Sequence, residues 1–193
     1  TTLNLIKKFT KKQHLFLSES FTEKFFLYPD KNFDNVIASK VSGLNDPLFS
    51  MLMHQLQPFT FYKDVIAISD KKFINPISKG STSKYFFLLE DTLYTETDTV
   101  FIISFKPSRN KKFDALKGVL YINTNTYAIQ NVIAEPFEQN IGGIDIKIQQ
   151  QYKYINNEQW FPVELSAELL TPMPGINKIK LLGIGKSYIS EIN

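Results

Sequence analysis

Hydrophobic and polar residues alternate with a period of two through much of the second half of the chain. Between residues 144 and 154, isoleucine and tyrosine occupy five even positions, whereas Asp, Lys and Gln occupy the odd ones. Residues 161–169 repeat the alternation with apolar side chains on the odd positions. Because successive side chains of a β-strand point to opposite faces, both segments are predicted to be half-buried strands. The polar residues 156–159 between them predict a long hairpin.

The same pattern predicts further strands upstream and one at the end of the chain. Pro162 predicts that its strand lies at a sheet edge or begins there, since proline cannot donate to a ladder of hydrogen bonds. Two segments with several basic residues and a proline, residues 70–83 and 106–114, are predicted to be flexible loops. The remaining predicted strands and turns are strands 15–28 and 35–41 around turn 29–32, strands 85–93 and 100–105 around turn 95–99, strands 118–122 and 127–134 around turn 123–126, and a last strand 176–189.

One segment has the spacing of an amphipathic helix instead. Asp46 and Pro47 form a typical helix start, and Pro58 ends the segment. Between them, apolar residues recur every three or four positions, which places them on one face of a helix over residues 47–57. The predicted fold class is therefore mainly β (α+β): a curved antiparallel sheet or half-barrel of about 8–11 strands wrapped over this one short helix.

Composition then excludes several classes of protein. The 193 residues are 43% apolar and 14% aromatic, which is typical of a folded domain and not of a disordered chain. We expect a single β domain over residues 14–193, preceded by a basic segment, residues 1–13. The formal net charge is only +3, so no nucleic-acid partner is predicted. The absence of cysteine excludes disulfides, thiol catalysis and thiolate metal sites.

Catalytic and metal-binding patterns are weak. His14 and His54 are the only histidines, and neither has the spacing of a metal ligand pair. Carboxylates cluster at Glu19 and Glu23 and again around Glu90 and Asp91, which leaves a hydrolase as a remote alternative. We predict no catalytic residue, no metal site and no cofactor.

The aromatic and aliphatic residues supply the remaining candidate site. A helix lying against a curved sheet can leave an apolar cleft between the two. Core packing is the ordinary role of such residues, and ligand binding is the functional alternative. The residues predicted to line this cleft are Leu48, Phe49, Leu52, Met53, Leu56, Phe59, Phe61 and Phe87.

Several short motifs follow one another in a fixed order from about Ser18 to Leu170. They are Ser18-Glu19-Ser20, Ile37 to Gly43, Asn75-Pro76-Ile77-Ser78, Tyr85 to Thr92, Phe101 to Pro107, Gly118 to Asn123, Tyr127-Ala128-Ile129 and Trp160-Phe161-Pro162. Together they resemble an uncharacterised domain of outer-membrane-associated proteins of Bacteroidetes. A looser similarity, over residues 101–107, 118–123 and 127–129, is to the lipoprotein-carrier fold, an incomplete barrel over a cavity for acyl chains.

The first resemblance implies a periplasmic, outer-membrane-associated module with a carboxypeptidase-regulatory-like domain upstream and a membrane β-barrel downstream. It implies no catalytic residue. The expected function is accordingly a non-enzymatic module that binds an apolar ligand, an acyl chain or a lipoprotein, in the cleft, with the adjacent domains and the barrel as further partners. The alternative is a protein-interaction scaffold that uses exposed strand edges, especially near Phe161 and Pro162.

Overall fold

The chain folds as an antiparallel β protein in the part that its structure, a computed structural model, describes. The described ranges are 16–27, 31–43, 60–68, 71–110, 112–138, 145–173 and 176–186. They confirm the predicted mainly-β class and contain no α-helix. The predicted helix over residues 47–57 lies outside them. Within these ranges, no helix has the length and apolarity needed to cross a membrane.

Eleven strands and one short 3-10 helix make up the described structure. They divide into three antiparallel sheets, so the prediction of a single sheet is wrong for these residues. The elements are β1 (Phe16–Leu27), β2 (Lys31–Gly43), β3 (Val65–Ile68), β4 (Lys71–Ile74), the 3-10 helix Ser81–Ser83, β5 (Tyr85–Tyr94), β6 (Thr99–Pro107), β7 (Leu116–Asn123), β8 (Ala128–Pro136), β9 (Asp145–Ile155), β10 (Gln159–Met173) and β11 (Ile176–Lys186).

The strands fall into two compact units along the chain, Thr1–Leu52 and Met53–Asn193. The first unit holds the hairpin β1–β2, whose pairing shifts register once, between Phe21 and Thr22. The rings of Phe25 and Phe33 face each other across this hairpin at 6.3 Å, and both are exposed. The second unit holds β3 to β11.

The largest sheet of the second unit is a seven-stranded meander in the order β11-β10-β9-β8-β7-β6-β5. Each strand pairs with the strand next to it in sequence, as the predicted hairpins require. β11 and β5 are not neighbours, so the described sheet is open. Residues 159–162 of β10 pair with β9, and the described pairing of β10 with β11 begins only at Glu164.

One face of the meander carries the core. Cross-strand partners on this face are small or aliphatic, as in the row Gly118, Ala134, Ile148 and Ala167. The strands β7 and β8 approach closely at Gly118, where an added Cβ would lie 2.0 Å from the carbonyl oxygen of Ile133. Glycine is therefore required at this position by the close approach of the two backbones.

A short hairpin and its flanking turns cover part of the core. β3 and β4 pair over four residues each, and Ile66, Ile68 and Phe73 are buried. The prediction of a flexible loop over residues 70–83 is wrong here, because β4 and the 3-10 helix lie within it. β4 shows no alternation of apolar and polar residues, because Lys71 and Lys72 are both polar and Phe73 is the one apolar residue among its first three positions.

The hairpin turns differ in how well their residues suit their backbone. Asn156 and Asn157, between β9 and β10, have φ of 52° and 57°, a left-handed conformation that asparagine tolerates. Thr126 and Tyr127, between β7 and β8, have φ of 65° and 52°. For a β-branched residue such as Thr126 this conformation is strained, and the indole nitrogen of Trp160 donates a 3.0 Å hydrogen bond to the Thr126 hydroxyl.

Candidate functional site

Phe61, a predicted cleft residue, lies in the core and anchors its segment to β9. It is fully buried, and its backbone N–H donates to Gln150 Oε1 at 2.9 Å and to the Tyr152 hydroxyl at 3.0 Å. The Tyr152 hydroxyl in turn donates to Gln150 Oε1 at 2.7 Å. Burial raises the pKa of Tyr152 to about 12, against smaller lowering contributions from hydrogen bonds with Thr60 and Phe61. This cluster is a satisfied structural network.

Asn75 and Tyr85 fix the two ends of the β3–β4 hairpin by hydrogen bonds to its flanking and terminal residues. The fully buried Asn75 amide donates to the carbonyl oxygens of Phe61 and Lys63 at 2.6 and 2.7 Å. The Tyr85 hydroxyl donates to the Ile74 carbonyl and accepts from a backbone N–H of β7, and burial raises its pKa. No buried side-chain nitrogen or oxygen of the described residues lacks a hydrogen-bond partner. These polar groups therefore fix the fold and leave no unmet donor or acceptor for a ligand.

Phe87, another predicted cleft residue, lies on β5 and is half-buried. Its ring contacts that of Tyr85 at a centroid distance of 6.3 Å. The strand that binds Phe61, β9, is four strands away in the sheet order, which is about 19 Å along the sheet. The structure does not bring Phe61 and Phe87 together on adjacent strands. The other predicted cleft residues, Leu48, Phe49, Leu52, Met53, Leu56 and Phe59, lie outside the described residues.

The most exposed apolar surface of the second unit follows β5. This strand is last in the order of the meander and pairs with β6 alone within the described ranges. Leu89 and Tyr94 are 56% and 81% exposed. We call the group of exposed side chains the β5 edge patch, which consists of Phe86, Leu88, Leu89, Leu93 and Tyr94.

The β5 edge patch has apolar residues on both faces of the strand. Leu89 pairs with Ile103 and shares the face of Phe87, whereas Leu88 pairs with Ser104 on the opposite face. An edge strand with one solvated face usually alternates apolar and polar residues, and a strand apolar on both faces is typical of the interior of a sheet. The exposed fraction of the residue rises from 2% at Tyr85 to 81% at Tyr94. β5 thus has the side chains of an internal strand at an external position.

Two carboxylates interrupt the patch near its middle. The register between β5 and β6 shifts between Leu89 and Asp91, so Glu90 is the extra residue of a bulge. The Ser104 hydroxyl donates to Glu90 Oε1 at 2.6 Å, and the Asp91 carboxylate accepts from the backbone N–H of Thr92 at 2.7 Å. Both acidic side chains are exposed. Ion pairs within the described part join Lys71 with Asp114 and Lys117 with Glu135, and neither involves this pair of carboxylates.

The carboxylates considered for hydrolysis have no enclosed arrangement. Glu23, Glu90 and Asp91 are exposed, and the side chain of Glu19 lies outside those described. No group of three or more His, Asp or Glu residues suitable for a metal ion occurs in the described residues. Both histidines lie outside the described ranges. Glu23, Glu90 and Asp91 are therefore open to water and not enclosed in a cleft.

The sequence marks β5 as unusual through a run of apolar residues and not through alternation. Four consecutive apolar residues, 86–89, predict a strand buried on both faces, and the structure shows that β6 covers only one of its edges. The prediction of a sheet edge at Phe161 and Pro162 is wrong for the strand as a whole, because β10 lies between β9 and β11, although its described pairing with β11 begins only at Glu164. Which strand ends a sheet depends on the pairing of all the strands, and local pattern does not determine it.

Comparison with known proteins identifies a family over most of the chain. Residues 2–180 match the model of a family described as a family of unknown function, DUF5686. No curated protein and no solved structure matches the sequence. The match covers far more than half of the 193 residues, and the chain belongs to this family, DUF5686.

Proposed function

We propose that this chain is a protein-interaction module whose β5 edge patch binds an extended segment of another protein by strand addition. One observation carries the proposal: β5 is the last strand of the described meander and exposes five large apolar side chains. In strand addition, the edge backbone supplies hydrogen bonds, and pockets beside alternate side chains supply specificity.

The backbone of β5 suits such a partner. Its ten residues span about 34 Å at the usual rise per residue, which is long enough for a partner strand of typical length. One edge of β5 is occupied by β6, and the described residues supply no strand for the other. Proteins commonly protect edges by keeping them short, charged or bulged, whereas β5 is long and largely apolar and its bulge and two carboxylates are confined to residues 90 and 91.

The side chains of β5 suit it as well. A partner strand beside β5 would place apolar residues against Phe86 and Leu88 on one face and against Leu89 on the other. Water is then removed from side chains that are now about half-exposed, and burial of apolar surface is the main source of favourable free energy in association. The patch gains burial on both faces at once.

We also propose that the module acts without catalysis, in the periplasm, within a larger outer-membrane-associated protein. The resemblance to domains of Bacteroidetes outer-membrane proteins supports the location. The exposure of Glu23, Glu90 and Asp91 supports the absence of hydrolytic chemistry. Fractionation of cells that produce the parent protein tests the location, and its recovery outside the outer-membrane fraction would contradict it.

The binding experiment uses a defined probe, an eight-residue peptide of alternating valine and threonine with a fluorophore at one end. Fluorescence polarisation measures its affinity, and amide hydrogen exchange measures protection along β5. Leu88→Ser is compared with Phe137→Ser, since Leu88 and Phe137 are similarly exposed, at 48% and 44%, and Phe137 lies outside β5. We expect Leu88→Ser to weaken binding at least fivefold and Phe137→Ser to leave it unchanged.

Two results would refute the proposal. The first is a peptide that binds without protecting β5 amides, or equally well to both variants. The second is the absence of peptide binding. Saturable binding of cis-parinaric acid, a fluorescent fatty acid, that Leu88→Ser leaves unchanged would then favour the apolar-ligand hypothesis.

A further inference from the structure

We propose that Glu90 and Asp91 select the partner of β5: a strand with two basic side chains at its centre is admitted, and a second copy of β5 is rejected. The inference rests on the proposed function and specifies the chemistry of the partner. It is argued from the position of the two carboxylates in the strand, from the lack of an ion pair to either among the described residues, and from the symmetry of a self-pair.

The two carboxylates lie at the middle of the patch. β5 has five residues before Glu90 and three after Asp91. Asp91 pairs with Ile102, which places it on the same face as Leu88 and Leu93. The Ser104 hydroxyl, on that face too, holds Glu90 by a 2.6 Å hydrogen bond. Both charges therefore lie on the face where Leu88 and Leu93 would meet the side chains of a partner strand.

A partner strand removes water from these carboxylates, and the described neighbours do not replace it with positive charge. The Lys106 ammonium lies over the Phe86 ring at 5.7 Å, and the described ion pairs lie elsewhere. Burying a charge without a partner is costly. Basic side chains directly opposite on the new strand would lie about 5 Å away between Cβ atoms and would compensate both charges.

Symmetry makes a second copy of β5 a poor partner. Two copies paired antiparallel over their full length would meet about a two-fold axis between Leu89 and Glu90. Glu90 and Asp91 of both copies, four carboxylates, would then lie within about 7 Å of that axis along the strands. Like charges at this spacing repel. The same two residues thus exclude self-association and favour a basic partner.

Three peptides test the inference. They share the valine–threonine pattern and carry two Lys, two Thr or two Glu at the two central threonine positions, which are two residues apart and therefore lie on one face of the strand. We call them the Lys-Lys, Thr-Thr and Glu-Glu peptides. In 50 mM salt we expect the Lys-Lys peptide to bind about tenfold more tightly than the Thr-Thr peptide, and the Glu-Glu peptide to bind at least threefold more weakly. In 1 M NaCl, where the screening length falls to about 3 Å, the three affinities should converge.

Matched variants separate charge from structure. Glu90→Gln with Asp91→Asn should abolish the preference for Lys-Lys, tighten the binding of Thr-Thr because no unpaired charge is desolvated, and permit concentration-dependent dimers in sedimentation velocity. Glu158→Gln removes an exposed carboxylate from the β9–β10 turn and should retain the preference. Circular dichroism melting establishes that each variant is folded.

The outcomes distinguish the two proposals. Equal affinity for all three peptides, with Thr-Thr still bound at β5, overturns the charge selection and leaves the proposed function standing. Dimerisation of the unaltered protein through β5 also overturns it. Failure of every peptide to bind overturns both proposals.

Discussion

Replacing Tyr152 by phenylalanine removes a buried hydroxyl and a high-pKa group in one change. At pH 8 the loss is that of the hydrogen bonds with Gln150 and Phe61, but the Phe61 N–H keeps its 2.9 Å bond to Gln150. The net cost of one such hydroxyl is about 1 kcal/mol of unfolding free energy. Tyr152→Phe should therefore be less stable than the unaltered protein by about this amount at neutral pH.

The difference should reverse at high pH. The pKa of Tyr152 is raised from 10 to about 12 in the folded protein, so the neutral hydroxyl stabilises the fold below pH 10. That contribution is lost as pH rises from 10 to 12, and two pH units correspond to about 3 kcal/mol. Because phenylalanine does not ionise, Tyr152→Phe should become the more stable protein above about pH 11.

Urea unfolding at half-unit steps from pH 8 to pH 12 measures both proteins under identical conditions. Tyr85, whose pKa is also raised by burial, is present in both proteins and cancels in the difference. Curves of unfolding free energy that stay parallel from pH 9 to pH 12 would refute the reasoning, since Tyr152 would then ionise equally in the folded and unfolded chain.

Three further predictions concern backbone geometry and a buried amide, each measured by urea unfolding at pH 7. Gly118→Ala should cost about 3 kcal/mol, because its Cβ would lie 2.0 Å from a backbone oxygen of β8. Gly80→Ala, where φ is 78° and nothing lies within 4 Å, should cost only about 1 kcal/mol; equal costs would contradict the steric argument. Thr126→Asn should stabilise the protein by about 0.5–1 kcal/mol, since asparagine tolerates φ of 65°, and a loss of stability would show that the bond from Trp160 outweighs the strain. Asn75→Ala should cost about 3 kcal/mol through two unbonded carbonyl oxygens, and a cost below 1 kcal/mol would mean that water replaces the amide.

Local pattern predicted much of the sheet because the pairing is local. Each strand of the meander pairs with its neighbour in sequence, so alternation and turn residues are enough to identify the β5–β6, β7–β8 and β9–β10 hairpins. β9 shows this most clearly, since Ile146, Ile148 and Tyr152 are all buried on one face. The fourth buried residue of that face, Gln150, breaks the apolar pattern because it bonds the Phe61 N–H.

Features that depend on distant residues were not predictable in this way. β4 has two lysines in four residues, so its local pattern gives no sign that Phe73 is buried in the fold. The β5 edge patch was similarly hidden, because residues 86–89 look like a buried strand until the order of all strands is known. Leu48 to Leu56, the apolar face proposed for the helix, lie outside the described residues, and the cleft stays a prediction.

The hydrogen bonds of Phe61 have a consequence for the order of folding. The hairpins of the meander pair residues that are close in sequence, and such contacts form early. The Phe61 N–H, by contrast, bonds Gln150, which is 89 residues later in the chain, and closing so long a loop costs more chain entropy. We therefore expect the segment that covers the core to close late, over a sheet whose first hairpins already exist.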